Sequence, residues 1–158
     1  MHLAELNLSV WKYDPDTNKA SRGFLDNVDR INALAERSDG FVWRIRDEER
    51  DENGRNAICD GPETLMTMSV WDTAEHLEHF VFKTLHKRFW ERKEEWFGRM
   101  DSHHVVMWWV EEGHRPTMIE AKERLDHLNA KGESDFAFTW ETLGKSLKAA
   151  GPEVLKTA

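Results

Sequence analysis

The segment HLAELNLSVW (2–11) has a period of two, and this pattern constrains the chain more than any other. Ala4, Leu6, Leu8 and Val10 face one way, and Glu5, Asn7, Ser9 and Trp11 face the other. A period of two is the period of a β-strand, so this strand must belong to a sheet with one apolar and one half-polar face. Further segments repeat the demand. FVWRIR (41–46), the threonine-containing ETLMTMSVW (63–71) and HHVVMWWVEE (103–112) read as strands, and FAFTW (136–140) as a short final one.

Helical periodicity fills the gaps. Phe24, Val28, Ile31 and Ala35 mark an amphipathic helix over 20–37, which Ser38-Asp39-Gly40 stops. Asp72-Thr73-Ala74-Glu75 starts a long helical region that reaches about Met100. Thr117 and Glu120 cap a third helix, with Met118, Ala121, Leu125 and Leu128 on one stripe. The order is βαββαβ followed by an extra helix and strand. This is an α+β, ferredoxin-like plan, expected as one domain over 1–143 with a loosely held tail over 144–158. The charged run DEERDENGRN (47–56) reads as a mobile loop. If the helices cover the even-numbered face of the first strand, the half-polar face with Glu5, Asn7, Ser9 and Trp11 is left open. A second copy would then cover it, so a homodimer, forming a dimeric α/β barrel, is expected.

The bulk numbers narrow the function. A net charge of −8 argues against nucleic acid as a partner. No apolar run approaches the length of a membrane span, the N-terminus does not read as a signal peptide, and Cys59 is the only cysteine, so a cytoplasmic protein is expected. The 8 tryptophans against one tyrosine call for a thick aromatic core or a pocket for a flat, hydrophobic small molecule. No Gly-rich phosphate loop, Ser-His-Asp order or CxxC motif is present, so flavin, nicotinamide and nucleotide sites find no support.

The segment FVFKTLHKRFWERKEEWF (80–97) places six aromatic rings around His86. With Phe82, Phe89 and Trp90 as pocket walls, His86 is a candidate ligand or base; a histidine hydrogen-bonded at a helix kink is the alternative. Glu5 and Asn7 share a strand face and would point into the barrel. An amide there orients dioxygen or a carbonyl, and a carboxylate takes a proton once burial raises its pKa; a strand facing water or a polar dimer seam is the alternative. His76, His79 and His86 fall on one helix side, which reads as a wet polar face rather than a zinc site. Of His103 and His104, at most one faces a cavity, and His114 shapes the turn before the third helix. The strand tryptophans Trp11, Trp43, Trp71, Trp108 and Trp109 read mainly as core or interface. Arg88, Arg92, Lys93 and Arg99 read as a solvated face that could instead meet carboxylates.

LAELNLS (3–9), DRINALAERSDGFVWRI (29–45), SVWDTAEHLEHFVF (69–82), HKRFWERKEEWF (86–97) and WWVEEGHRPTMIEAKERL (108–125) together resemble the family called domain of unknown function 3291. That family looks like part of the dimeric α/β-barrel superfamily, which includes antibiotic-biosynthesis and heme-degrading monooxygenases. The resemblance implies a small oxidoreductase of monooxygenase type acting on a hydrophobic, aromatic molecule. VFKTLHK (81–87) is similar to the heme-ligating segment of the heme-degrading enzymes, with Lys83 and His86 matching; their preceding tryptophan is best matched by Phe80. Asn7 falls at the place of their strand-one asparagine. Heme held by His86 is thus one expectation. A cofactor-free oxygenase using Glu5 or a histidine as base is a second, and a non-catalytic binder of a hydrophobic ligand a third.

Overall fold

A computed structural model describes residues 1–46 and 64–144. The charged loop 47–56 and nearly all of the expected tail lie outside the described residues. Strand β1 (His2–Val10) is followed by α1 (Lys19–Leu25), α2 (Val28–Glu36), β2 (Phe41–Arg44) and β3 (Thr64–Trp71). Then come α3 (Ala74–Lys83), α4 (His86–Glu91), a 3-10 turn (Lys93–Glu95), β4 (Val105–Val110) and α5 (Met118–Lys131). The sheet runs β2-β3-β1-β4 with every neighbour antiparallel, which is the ferredoxin-like order.

Two expected helices are each broken in two, by identifiable bonds. Asn27 Nδ2 donates to Gly23 O at 2.7 Å, and the backbone turns at Asp26–Asn27 between α1 and α2. At the other break, Thr84 adopts an extended backbone and its Oγ1 donates to Phe80 O at 2.6 Å, ending α3. The expected last strand is reduced to one bridge, in which Met107 and Phe138 exchange backbone bonds of 2.7 and 2.9 Å; the chain is helical again from Trp140.

The distribution of helices over the sheet corrects the expectation from the alternation. The even face, with Leu6, Met68, Val70, Val106 and Trp108, is buried against Met118, Ala121, Leu125 and Leu128 of α5. The extra helix thus covers the apolar face within one chain. The half-polar face lies under α2, α3 and α4 instead of open to a second copy. Sequence period assigns residues to faces but not helices to faces. The half-polar face is therefore not the open surface from which a homodimer was expected.

Trp108 is fully buried on the even face, and its Nε1 donates to Glu120 Oε1 at 2.9 Å. The other oxygen of Glu120 meets His114 Nε2 at 2.7 Å, so the GHRP turn is tied to the first turn of α5. At Gly40 the backbone has φ of +80°, and an added Cβ would run into the side chains of Asp72 and His76, which pair at 2.6 Å. Both the left-handed backbone and the close approach require glycine here. Gly40→Ala should lower stability by about 1–3 kcal/mol in urea unfolding without changing the denaturant slope. Adding His76→Ala should recover only part of the loss, because the backbone strain remains.

Candidate functional site

Strand register determines the floor of a cavity. On the half-polar face, Glu5 pairs with Ser69 and Asn7 pairs with Thr67, so β1 and β3 set their polar side chains side by side. These residues, with Ser9 and Trp71, line a cavity of about 200 Å³ between sheet and helices. Val28, Ile31 and Ala35 of α2 form one wall. Phe80, Val81, His86 and Phe89, from α3 and α4, form the other. The far end is closed by packed rings: Phe24 lies 4.8 Å from Trp96 and 5.1 Å from Phe97, and Trp11 lies 4.8 Å from Phe97.

The floor carries an ordered chain of hydrogen bonds. Trp71 Nε1 donates to Ser69 Oγ at 3.0 Å, and Ser69 Oγ donates to Glu5 Oε1 at 3.1 Å. Among the described residues Glu5 receives this one hydrogen bond and has no cationic partner. Burial pushes its carboxyl up to about 7 from 4.5, against the opposing effect of the Ser69 hydroxyl. A group titrating there both accepts and releases protons near neutrality.

His86 opens α4 directly after the break at Thr84. Its Nδ1 lies 3.2 Å from Val81 O, a carbonyl in the last turn of α3, so Nδ1 carries the proton and the ring holds the kink together. Burial lowers its pKa, opposed by the Val81 bond, and keeps the ring neutral. Nε2 then has an acceptor lone pair and no hydrogen-bond partner among the described residues. The kink-holding and cavity-lining readings of His86 coincide in one side chain. Its ring sits 4.9 Å from that of Phe80, which stacks on Trp71 at 5.1 Å.

The other expected residues divide. Asn7, Phe89 and Trp90 line the cavity with Glu5 and His86. Phe82 stands behind the wall, packed on Trp90 and Trp140 at 5.3 Å each. His104 lines the cavity and His103 does not, whereas His76 pairs with Asp72 and His79 is exposed, away from the lining. Among the described residues no group of three His, Cys, Asp or Glu converges as a metal site. Ser69 carried no sequence signal as a site residue, and Trp71 read as core or interface. Both become part of the floor through register.

The chain matches the family model "Domain of unknown function (DUF3291)" over residues 2–152. The chain belongs to the DUF3291 family. No curated protein matches it. Among solved structures, this DUF3291 chain is similar to SnoaB, a cofactor-independent oxygenase from Streptomyces nogalater, at 12% identity and TM-score 0.45, covering 70% of this chain and 94% of that one. It is also similar to NE2512, a protein of unknown function from Nitrosomonas europaea, at 12% identity and TM-score 0.47, covering 73% and 95%. Likenesses of that order carry no argument about chemistry, which must come from the residues.

For heme, His86 has suitable donor chemistry: a neutral imidazole whose second nitrogen is held by a carbonyl. The enclosed space of about 200 Å³ is below the roughly 300–1,000 Å³ of pockets that hold drug-sized ligands. A cavity of about 150 Å³ holds benzene, so one or two rings suit this one. A heme held by His86 would have to extend out of this enclosed space through the cavity's open side. No helix among the described residues is long and apolar enough to cross a membrane.

Removing the hydroxyl that links the floor tests its construction. Ser69→Ala should destabilise the chain by about 1–2 kcal/mol, since it leaves the Trp71 indole N–H without its acceptor. Urea unfolding of the single variant checks this. Ser69→Thr, which restores a hydroxyl, should recover most of the loss.

Proposed function

We propose that the chain is a cofactor-free, monooxygenase-like enzyme that oxidises a small aromatic molecule bearing an acidic C–H group. The observation that carries this reading is the Glu5 carboxyl, raised to about 7, at the floor of an aromatic-walled cavity. A base of that pKa is matched to proton abstraction near neutral pH, and a cavity of about 200 Å³ is matched to one or two rings.

In the proposed reaction, the Glu5 carboxylate takes a proton from an activated CH₂ of the substrate. The carbanion gives its electrons to dioxygen, the second substrate, and forms a C–O bond to a peroxide. Glu5 returns its proton to the peroxide. The second C–H proton then passes to a base, for which His86 Nε2 is the free acceptor, as the O–O bond breaks. The carbon becomes a ketone and the departing hydroxide takes up that proton as water. One oxygen atom enters the product and one enters water. Asn7 supplies an amide on the same floor to orient the carbonyl or peroxide oxygen, and the aromatic walls exclude water from the carbanion.

Incubation with a panel of bicyclic aromatics carrying acidic C–H groups under ¹⁸O₂ should label the product with one heavy oxygen. Because the base works when deprotonated, kcat/KM should rise about tenfold per pH unit below about 7 and level off above it. Glu5→Gln should lower kcat at least about 100-fold. Binding without oxygen uptake would show a ligand-binding protein instead. A Soret band in protein produced with heme supply, lost in His86→Ala, would overturn the cofactor-free reading.

A further inference from the structure

Lys93 has no part in this chemistry, yet it lines the same cavity. Neighbouring cations are neutralised: Arg44 meets Glu36 at 2.8 Å, Arg92 meets Glu95 at 2.8 Å, and Lys87 meets Glu91 at 3.5 Å. Lys93 has no carboxylate partner among the described residues. Its Nζ lies instead 4.5 Å from the centre of the Trp90 ring. An ammonium held against a ring face is positioned without losing its charge to an acid. Among the described lining residues Glu5 is the only carboxylate, so the Lys93 end of the cavity is cationic in a chain of net charge −8.

His104 stands at the same end. Partial desolvation and the nearby Lys93 charge both lower its pKa, which keeps the ring neutral and leaves it one N–H to donate. The position of this end relative to Glu5 follows from the ladder. Leu8 N donates to His104 O at 2.7 Å, which places His104 level with Leu8 on β1. Glu5 is three residues further along the strand, a distance of roughly 10 Å at 3.4 Å per residue. Along β1, the backbone at His104, whose ring feels the Lys93 charge, is therefore separated from that at Glu5 by about the length of two fused rings with one substituent.

We infer that the substrate is an aromatic carboxylate whose acid group docks on Lys93 and His104 while the carbon that reacts lies against Glu5. This specifies the substrate class of the site proposed above and rests on that reading. The separation also keeps the substrate carboxylate and Glu5 from opposing each other.

Calorimetric titration with 2-naphthoate and with its neutral isostere 2-naphthamide, at pH 7.5, tests the inference on the intact chain. Naphthoate should bind about tenfold more tightly than the amide. Lys93→Gln should bring the ratio near one, mainly by weakening naphthoate binding, and Lys93→Arg should keep most of the preference. Raising salt from 50 to 500 mM should weaken naphthoate binding only. Equal affinities in the unmodified protein, or a preference that survives Lys93→Gln, would overturn the inference while leaving the cavity reading in place. Failure of both compounds to bind would overturn both.

Discussion

A carboxyl group held inside a sheet–helix layer with one hydroxyl as its hydrogen-bonding partner is the constraint around which the chain is arranged. Ionised, Glu5 would need cations or several donors to offset its lost hydration. Among the described residues it receives one donor, Ser69, and burial raises its proton affinity. A chain selected only for stability would place an aliphatic residue opposite Ser69 and close the gap with α2 and α3. Local polar placement against the grain of core packing is characteristic of functional sites. The surrounding bonds agree with this. Trp71 fixes the direction of the Ser69 hydroxyl, and Phe80 stacks on Trp71 and carries the wall toward His86.

The two-faced sheet makes this arrangement affordable. The apolar face is consumed by α5, whose Met118, Ala121, Leu125 and Leu128 build a dry core with the even residues of β1, β3 and β4. Burying those side chains supplies stability at about 25 cal/mol per Å² of apolar surface. The opposite face is thereby released from being the principal core. Its helices rest on Leu3, Trp71 and Met107 at one end and on the Trp11, Phe24, Trp96 and Phe97 rings at the other. The cavity occupies the span between these two supports, over Glu5 and Asn7.

Much of this fold was legible in the residues. The alternation of β1, the threonines of β3 and the stripe of α5 carry their own periods, and together they lead to the ferredoxin-like order. Glu5, Asn7 and His86 were legible as candidates because a polar strand face and a ring-flanked imidazole are both unusual. The helix that covers each face was not legible, since periodicity is blind to partners. The breaks at Asn27 and Thr84 depend on single side-chain bonds to backbone carbonyls, which a propensity reading averages away. Ser69 was invisible for a similar reason: it becomes adjacent to Glu5 only through the β1–β3 register. Phe82 shows the reverse error, because proximity in sequence to His86 does not place a side chain on the same side of a broken helix.

The central claim is that the Glu5 carboxyl is the base of the cavity, with a proton affinity set by its burial. Carbon-13 NMR of the protein labelled at glutamate side-chain carboxyls measures this directly, with Glu5→Gln assigning the resonance by its disappearance. The account predicts a Glu5 midpoint at about 7. A Glu5 midpoint at the ordinary value of 4.5 would contradict it.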